Sequence, residues 1–281
     1  MNKILFWLFF AKIRMATCLP EVNKSGFHKN KSLFQISKIG KLPSQITESS
    51  GLAKVNGKKS FWTHNDSGGK SELYEIDSLG NLLSIMEIPN TKNVDWEDLT
   101  QDNNGNIYIG DFGNNSNRRQ DLTIYQIKQN NSGESEKITF NFADQKDFPP
   151  TKKKLNFDCE AFFWAKDSLF LFSKNRGDKQ TKLYSLPAKS GNYSLAPRSN
   201  IYLKANITSA DISPDGKQFA LLSYGKIFLF GIGINIVDFT LPQFCIKAPL
   251  KQSEAIAYIS DNEMVITNEQ GDIFKLNLKL K

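Results

Sequence analysis

The stretch ITSADISPDGKQFALLSYGKIFLF, Ile207 to Phe230, decides the fold. A small-and-acidic start, SADIS, turns apolar and meets Ser-Pro-Asp-Gly-Lys. Proline there presets a turn backbone, while Asp and Gly tolerate the rest of a hairpin. The run QFALLSY follows, then Gly225, then a third run carrying the aliphatic–aromatic pair Ile227–Phe228. Three short strands joined by tight turns fit this pattern, and no helical period runs through it.

The same order recurs along the chain. The starts are SSGLA at Ser49, WEDLT at Trp96, CEAFF at Cys159 and SEAIA at Ser253. Each leads to an apolar run (SFWTHND, NIYIGDF, SLFLFSK, EMVITNE) and then to Leu73–Tyr74, Ile124–Tyr125, Leu183–Tyr184 or Ile273–Phe274. The unit is roughly 45 to 60 residues, near the period of propeller blades. The pattern predicts an all-β chain, a β-propeller of about five four-stranded blades. The last unit lacks an outer strand, and SLFQISKIGKL, Ser32 to Leu42, has the character to supply it and close the ring. The polar insertions QNNSGESEK and ADQKDFPPTKKK are expected as surface loops flanking one outer strand. The third unit is long enough that a sixth blade is also compatible.

Length and composition fit one large all-β domain or two smaller ones: 281 residues, 40% hydrophobic, with Phe the dominant aromatic. The net charge of +7 is diffuse. With no recognition helix, zinc-finger spacing or aromatic–basic platform, it reads as a solvated surface, and no nucleic-acid partner is expected. The cysteines, Cys18, Cys159 and Cys245, are odd in number and lack a CxxC pair, so they indicate neither a disulfide framework nor a zinc site, although they are compatible with one bridge. MNKILFWLFFAKIRMATC begins positive, runs apolar from Ile4 to Ala11 and reaches small residues before Cys18, although Lys12 and Arg14 interrupt the pattern. It resembles an export signal, and MATC loosely resembles a lipoprotein cleavage box. The expected division is therefore a leader over 1–18, a linker over 19–31 and one propeller over 32–281. The protein is expected to be exported to the periplasm or cell envelope, to be monomeric, and to carry a lipid anchor at Cys18 if the cleavage box is used.

Innermost strands of a propeller start on the face where second strands end. That rule gathers Asp95, Glu97, Asp98, Asp158, Glu160, Asp211 and Glu254 with His64, Asn65, Asp66, Asp111, Asn114, Asn115, Lys174, Asn175, Arg176 and Glu269 on one rim. Glu97, Glu160 and Glu254 share one position in the repeat, which Ser50 and Ala210 fill in the other units. Carboxylates that converge raise one another's pKa unless positive charge lies between them. A hard cation such as Ca²⁺, Lys174, Arg176 or a cationic ligand would supply it. Asp66, Glu97, Glu160 and Glu254 are the candidate metal ligands. His64, Asn65, Asp66, Trp96, Asp111, Arg118, Lys174 and Arg176 are candidates for ligand binding. Each has a plainer reading: a structural histidine, carboxylates accepting backbone N–H bonds, NDSGG as a turn, Trp96 as core.

The ordered segments ESSGLA, FWTHNDSG, DWEDLT, IYIGDFGNNSNRR, FDCEAFF, ITSADISPDGKQFALLSY and QSEAIAY resemble a family of exported bacterial propellers without a settled activity. The chain is more distantly similar to SdiA-regulated and phytase-like esterase propellers. The resemblance implies an exported propeller with a polar channel mouth. It marks His64, Asn65, Asp66, Asp95, Glu97, Asp98, Asp111, Arg118, Glu160, Lys174, Asp211 and Glu254 as pattern positions. Asn114 stands where the family more often has an acid, and Leu222 where it often has Arg. The first departure implies a weaker cation site.

Three functions follow. The favoured one is an exported binding protein that holds a small polar or anionic ligand, or a partner loop, at the channel mouth near Lys174, Arg176 and Arg118, with a structural cation. The alternative is a metal-dependent hydrolase of the esterase, lactonase or phosphatase type, with His64 or a carboxylate as base. The third is a protein-interaction scaffold.

Overall fold

A computed structural model describes residues 17–29, 33–128, 135–234, 236–248 and 252–279. The leader expected over 1–18 lies, up to residue 16, outside the described residues. Five sheets, antiparallel except for one outer strand, form a ring in which each innermost strand packs against the next. Blade 1 is Ser49–Lys54, Ser60–Asn65, Glu72–Asp77 and Leu82–Glu87; blade 2 begins with Trp96–Gln101, Ile107–Asp111, Leu122–Ile127 and Ser135–Phe142. Blade 3 is Asp158–Ala165, Ser168–Lys174, Gln180–Pro187 and Ser199–Tyr202. Blade 4 is Ile207–Ile212, Gln218–Ser223, Lys226–Gly231 and Pro242–Lys247. Blade 5 is Ser253–Ser260, Glu263–Asn268 and Asp272–Leu278, completed by Phe34–Lys41. That closing strand runs antiparallel to Asp272–Leu278, with Phe34 opposite Leu278.

Blades are wedged between neighbours, so strand residues of both parities are buried. In Gln218–Ser223, Phe219 and Leu221 join the core shared with blade 3, while Ala220 and Leu222 join the core shared with blade 5. This explains the continuous apolar runs in place of apolar–polar alternation. The extra length of the third unit is not a sixth blade. Its strand Gly191–Leu195 pairs parallel with Ser135–Phe142, giving blade 2 a fifth, outer strand.

The linker expected over 19–31 is part of the fold. Helix α1, Leu19–Ser25, stops at Gly26, which takes the left-handed φ of 77° that suits glycine. Glu21 is fully buried and accepts from Lys226 Nζ at 2.7 Å and from Lys204 N at 3.0 Å. Phe27 lies 5.4 Å and 5.1 Å, centroid to centroid, from Phe228 and Phe230. Cys18 is bonded to Cys245, 227 residues away. The sulfur on which the cleavage-box reading expects a lipid is held in that bond. Spacing could not reveal a bridge between such distant positions. Cys159 is free and buried.

Candidate functional site

The acidic positions of the repeat are bulges. Pairing shifts register between Trp96 and Asp98, between Cys159 and Ala161, and between Ser253 and Ala255, leaving Glu97, Glu160 and Glu254 as the unpaired residues. A bulge re-aims the extra side chain and bends its strand. In blade 4 the shift falls between Ile207 and Ser209, so Thr208, not Ala210, is the equivalent residue. The same shift moves Asp211 two positions further down its strand, away from this rim.

Two carboxylate groups meet at Glu97. Asp66, Asp95 and Glu97 bring one oxygen each within 4.8 Å of one another, as do Glu97, Asp158 and Glu160. Gly113 makes room: a Cβ there would sit 2.2 Å from Glu97 Oε1 and 2.3 Å from Asp95 Oδ2. The second group is already neutralised. Lys174 Nζ pairs with Glu160, and Arg176 Nε lies 3.0 Å from Asp158 Oδ2. No Lys or Arg pairs with Asp66, Asp95 or Glu97 among the described residues. The cluster is therefore lopsided, with one half bonded to cations and the other half lacking one.

Electrostatics follow that asymmetry. Burial, then Asp66 and Asp158, push Asp95 up to about 6 against the pull of Arg119. Burial, then Glu160, Asp66, Asp158 and Asp95, hold Glu97 well above the carboxylate range. Burial works against the Lys174 ammonium, yet Glu160, Asp158 and Glu97 keep its pKa above the ordinary lysine value. Asp66, Asp95 and Glu97 supply hard oxygen ligands and negative charge, the donor set that divalent cations take.

Several expectations are corrected. Glu254 belongs to neither carboxylate group; it accepts from Tyr224 Oη at 2.8 Å, and burial lifts it to about 7. His64 is fully buried, its Nδ1 3.0 Å from Asn65 O and its ring edge-on to Trp96, and burial lowers it to about 4. It is a core histidine, remote from solvent protons. Trp96 is also fully buried and donates from Nε1 to Lys92 O at 3.2 Å, so it offers no ring to a ligand. Asn65 is committed to the loop before blade 1, accepting from Thr47 N at 2.9 Å and donating to Gln45 O at 3.0 Å. Asp111 pairs with Arg119 at 3.1 Å and accepts from Asp95 N at 3.0 Å, which positions Asp95. Arg118 is exposed; it is Arg119 that turns inward. Asn114 braces its own loop, accepting from Arg118 N and Arg119 N at 2.8 Å and 2.9 Å, so the missing acid there subtracts nothing from the cluster. Leu222 is core. NDSGG is a turn, with Gly68 at φ 74°, that nevertheless delivers the Asp66 carboxylate. Gly113, Arg119 and Tyr224 were missed by sequence reading; for Gly113 the signal was a glycine directly after the strand end at Asp111.

No protein-family model matches the chain, and no curated protein does. Solved structures do. A gluconolactonase from Xanthomonas campestris superposes with a TM-score of 0.51 at 9% identity, over 88% of this chain and 90% of that one. A second protein, provisionally named a gluconolactonase, gives 0.53 at 8% identity, over 93% and 97%. These likenesses establish the propeller fold. At such identities they carry no chemistry by themselves.

Proposed function

We propose that this protein is an exported, metal-dependent hydrolase of lactones or related esters. The observation that carries the reading is the lopsided carboxylate cluster, in which Asp66, Asp95 and Glu97 converge without a cation beside the ion-paired Asp158 and Glu160. The similarity to gluconolactonases supports the lactone class over the binding-only reading. The Cys18–Cys245 bond supports an oxidising, extracytoplasmic location.

Asp66, Asp95 and Glu97 would hold the cation, whose chemistry is to polarise a carbonyl oxygen and acidify water. The chain's own groups do the rest. Lys174, 5% exposed and 5.5 Å over the Tyr224 ring, places a fixed ammonium beside the cluster, where it stabilises negative charge developing on a carbonyl oxygen. Glu254, with a pKa near 7 and a hydrogen bond from Tyr224, is matched to accept and return a proton at neutral pH. Arg119 holds Asp111, which orients the Asp95 backbone.

The test begins with calorimetric titration of the full chain with Ca²⁺, Mg²⁺, Mn²⁺ and Zn²⁺. A screen of δ- and γ-lactones and aryl esters follows, in wild type, Glu97→Gln and Glu254→Gln. Binding lost in Glu97→Gln, with turnover lost in both variants, supports the reading. Binding without turnover of any ester leaves a cation-dependent binder. No binding at millimolar metal overturns the proposal.

A further inference from the structure

The channel has a second mouth. The acidic cluster lies at the starts of the innermost strands. Their ends, with the hairpins that follow, enclose a cavity of about 490 Å³ on the opposite face. Asp98 separates the two. Its carboxylate accepts from Phe162 N and Ala210 N at 3.2 Å each and bonds Ser209 Oγ, which in turn accepts from Ile256 N. This plug joins the innermost strands of blades 2, 3, 4 and 5 across the channel axis, so the lower cavity is a site distinct from the upper rim.

We propose that this lower cavity binds a small amphiphilic amine, with its ammonium on Asp211 and its apolar body against Phe170, Ile232 and Val237. Asp211 stands on the cavity wall. Two backbone N–H groups hold its carboxylate, that of Tyr258 at 2.7 Å and that of Ile212. A carboxylate has about four lone-pair sites, so acceptor capacity remains. Among the described residues no Lys or Arg forms an ion pair with it. The nearby Lys54 donates instead to Ile259 O at 2.8 Å. Burial lifts Asp211 to about 7, against its two backbone N–H bonds and the smaller pull of the Lys54 ammonium, which forms no ion pair with it. The remaining wall is mixed: Val55, Phe170, Ile232 and Val237 supply apolar surface, and Thr100, Gln101, Asn103 and Lys166 supply polar surface. The volume lies within the usual span of small-molecule sites, about 300–1,000 Å³, which combine apolar surface with a few placed polar groups. A neutral sugar would ask for several convergent donors and acceptors. Two amides near the rim are spent locally: Gln101 accepts from Asn56 N and donates to Gly105 O, and Asn56 Nδ2 donates to Asp102 O.

The test uses three probes of equal length, hexylamine, hexan-1-ol and hexanoate, titrated into the full chain by calorimetry and ligand-observed NMR. Hexylamine is expected to bind one site per chain at least tenfold more tightly than hexanol, with hexanoate weakest. Asp211→Asn keeps an acceptor for Tyr258 N, and in it hexylamine is expected to fall to the affinity of hexanol. Equal affinity of amine and alcohol in the wild type, or an amine preference surviving Asp211→Asn, overturns the proposal. A diazirine-bearing alkylamine photolabels the wild type as an independent check, needing no variant. Labels on the peptides holding Phe170 or Val237 support the lower site; labels confined to the peptides of Asp66, Asp95 and Glu97 place the amine on the acidic rim and overturn it.

Discussion

The amino-terminal arm gives the sharpest stability prediction. The perturbation is Cys18→Ser, or a mild reductant, which acts on one bond because Cys159 is buried and free. Closing a loop across 227 residues removes about 5 kcal/mol of conformational freedom from the unfolded chain by the chain-entropy relation. That value is a ceiling, since measured bridges commonly deliver about 2–5 kcal/mol. The native state without the bridge keeps its other anchors, Phe27 between Phe228 and Phe230 and Glu21 on Lys226. At about 2–4 °C per kcal/mol for a chain of this size, the midpoint should fall by about 5–15 °C. Glu21→Gln attacks the same arm from within. It leaves the Lys226 ammonium, 0% exposed, without its carboxylate, a change that typically costs about 3–5 kcal/mol. Because both changes free one element, their combined loss should be smaller than the sum of the two. The assay is thermal unfolding for the midpoint and urea unfolding for the free energies, both followed by tryptophan fluorescence, with and without reductant, on wild type, both single variants and the double variant. A Cys18→Ser midpoint within 1 °C of wild type would refute the reasoning, as would strict additivity.

The carboxylate cluster predicts effects of opposite sign at neighbouring acids. Glu97→Gln should stabilise the cation-free protein at pH 7, by relieving a buried charge among acids, and should abolish stabilisation by divalent cations in thermal melts. Glu160→Gln should instead cost about 3–5 kcal/mol in denaturant unfolding, because it strips Lys174 of its buried partner. Gly113→Ala drives a Cβ to 2.2 Å from Glu97 Oε1; a cost of about 1–3 kcal/mol and lost calorimetric cation binding are expected, with the far-ultraviolet spectrum unchanged. Asp95 and Glu254 titrate at about 6 and about 7 in the fold, above their unfolded values. The folded state therefore binds more protons, and cation-free stability is full below the ordinary carboxylate range and declines as pH rises to about 7. Added cation should raise the melting temperature more at pH 8 than at pH 5; an equal rise at both would count against cation binding to these acids.

Sequence alone determined what depends on local order. Strand period, the SPDGK-type turns and the recurring aliphatic–aromatic pairs lie within short windows, so the propeller repeat and the closing strand Phe34–Lys41 were readable, while the choice of five blades over six waited on the pairing of Gly191–Leu195. The rim residues Glu97 and Glu160 were readable for the same reason, because each repeats a place in the unit. Tertiary structure decided what depends on register and on contacts between distant segments. A bulge at Thr208 sends Asp211 to the far mouth, although its motif looks equivalent to the one that keeps Asp98 on the axis. Packing selects Arg119 over Arg118, buries His64 and Trp96, and parts Glu254 from the cluster it mirrors in sequence. The bridge from Cys18 to Cys245 forms because the ring folds its first described residues against blade 4, a proximity that no pattern in the linear chain encodes.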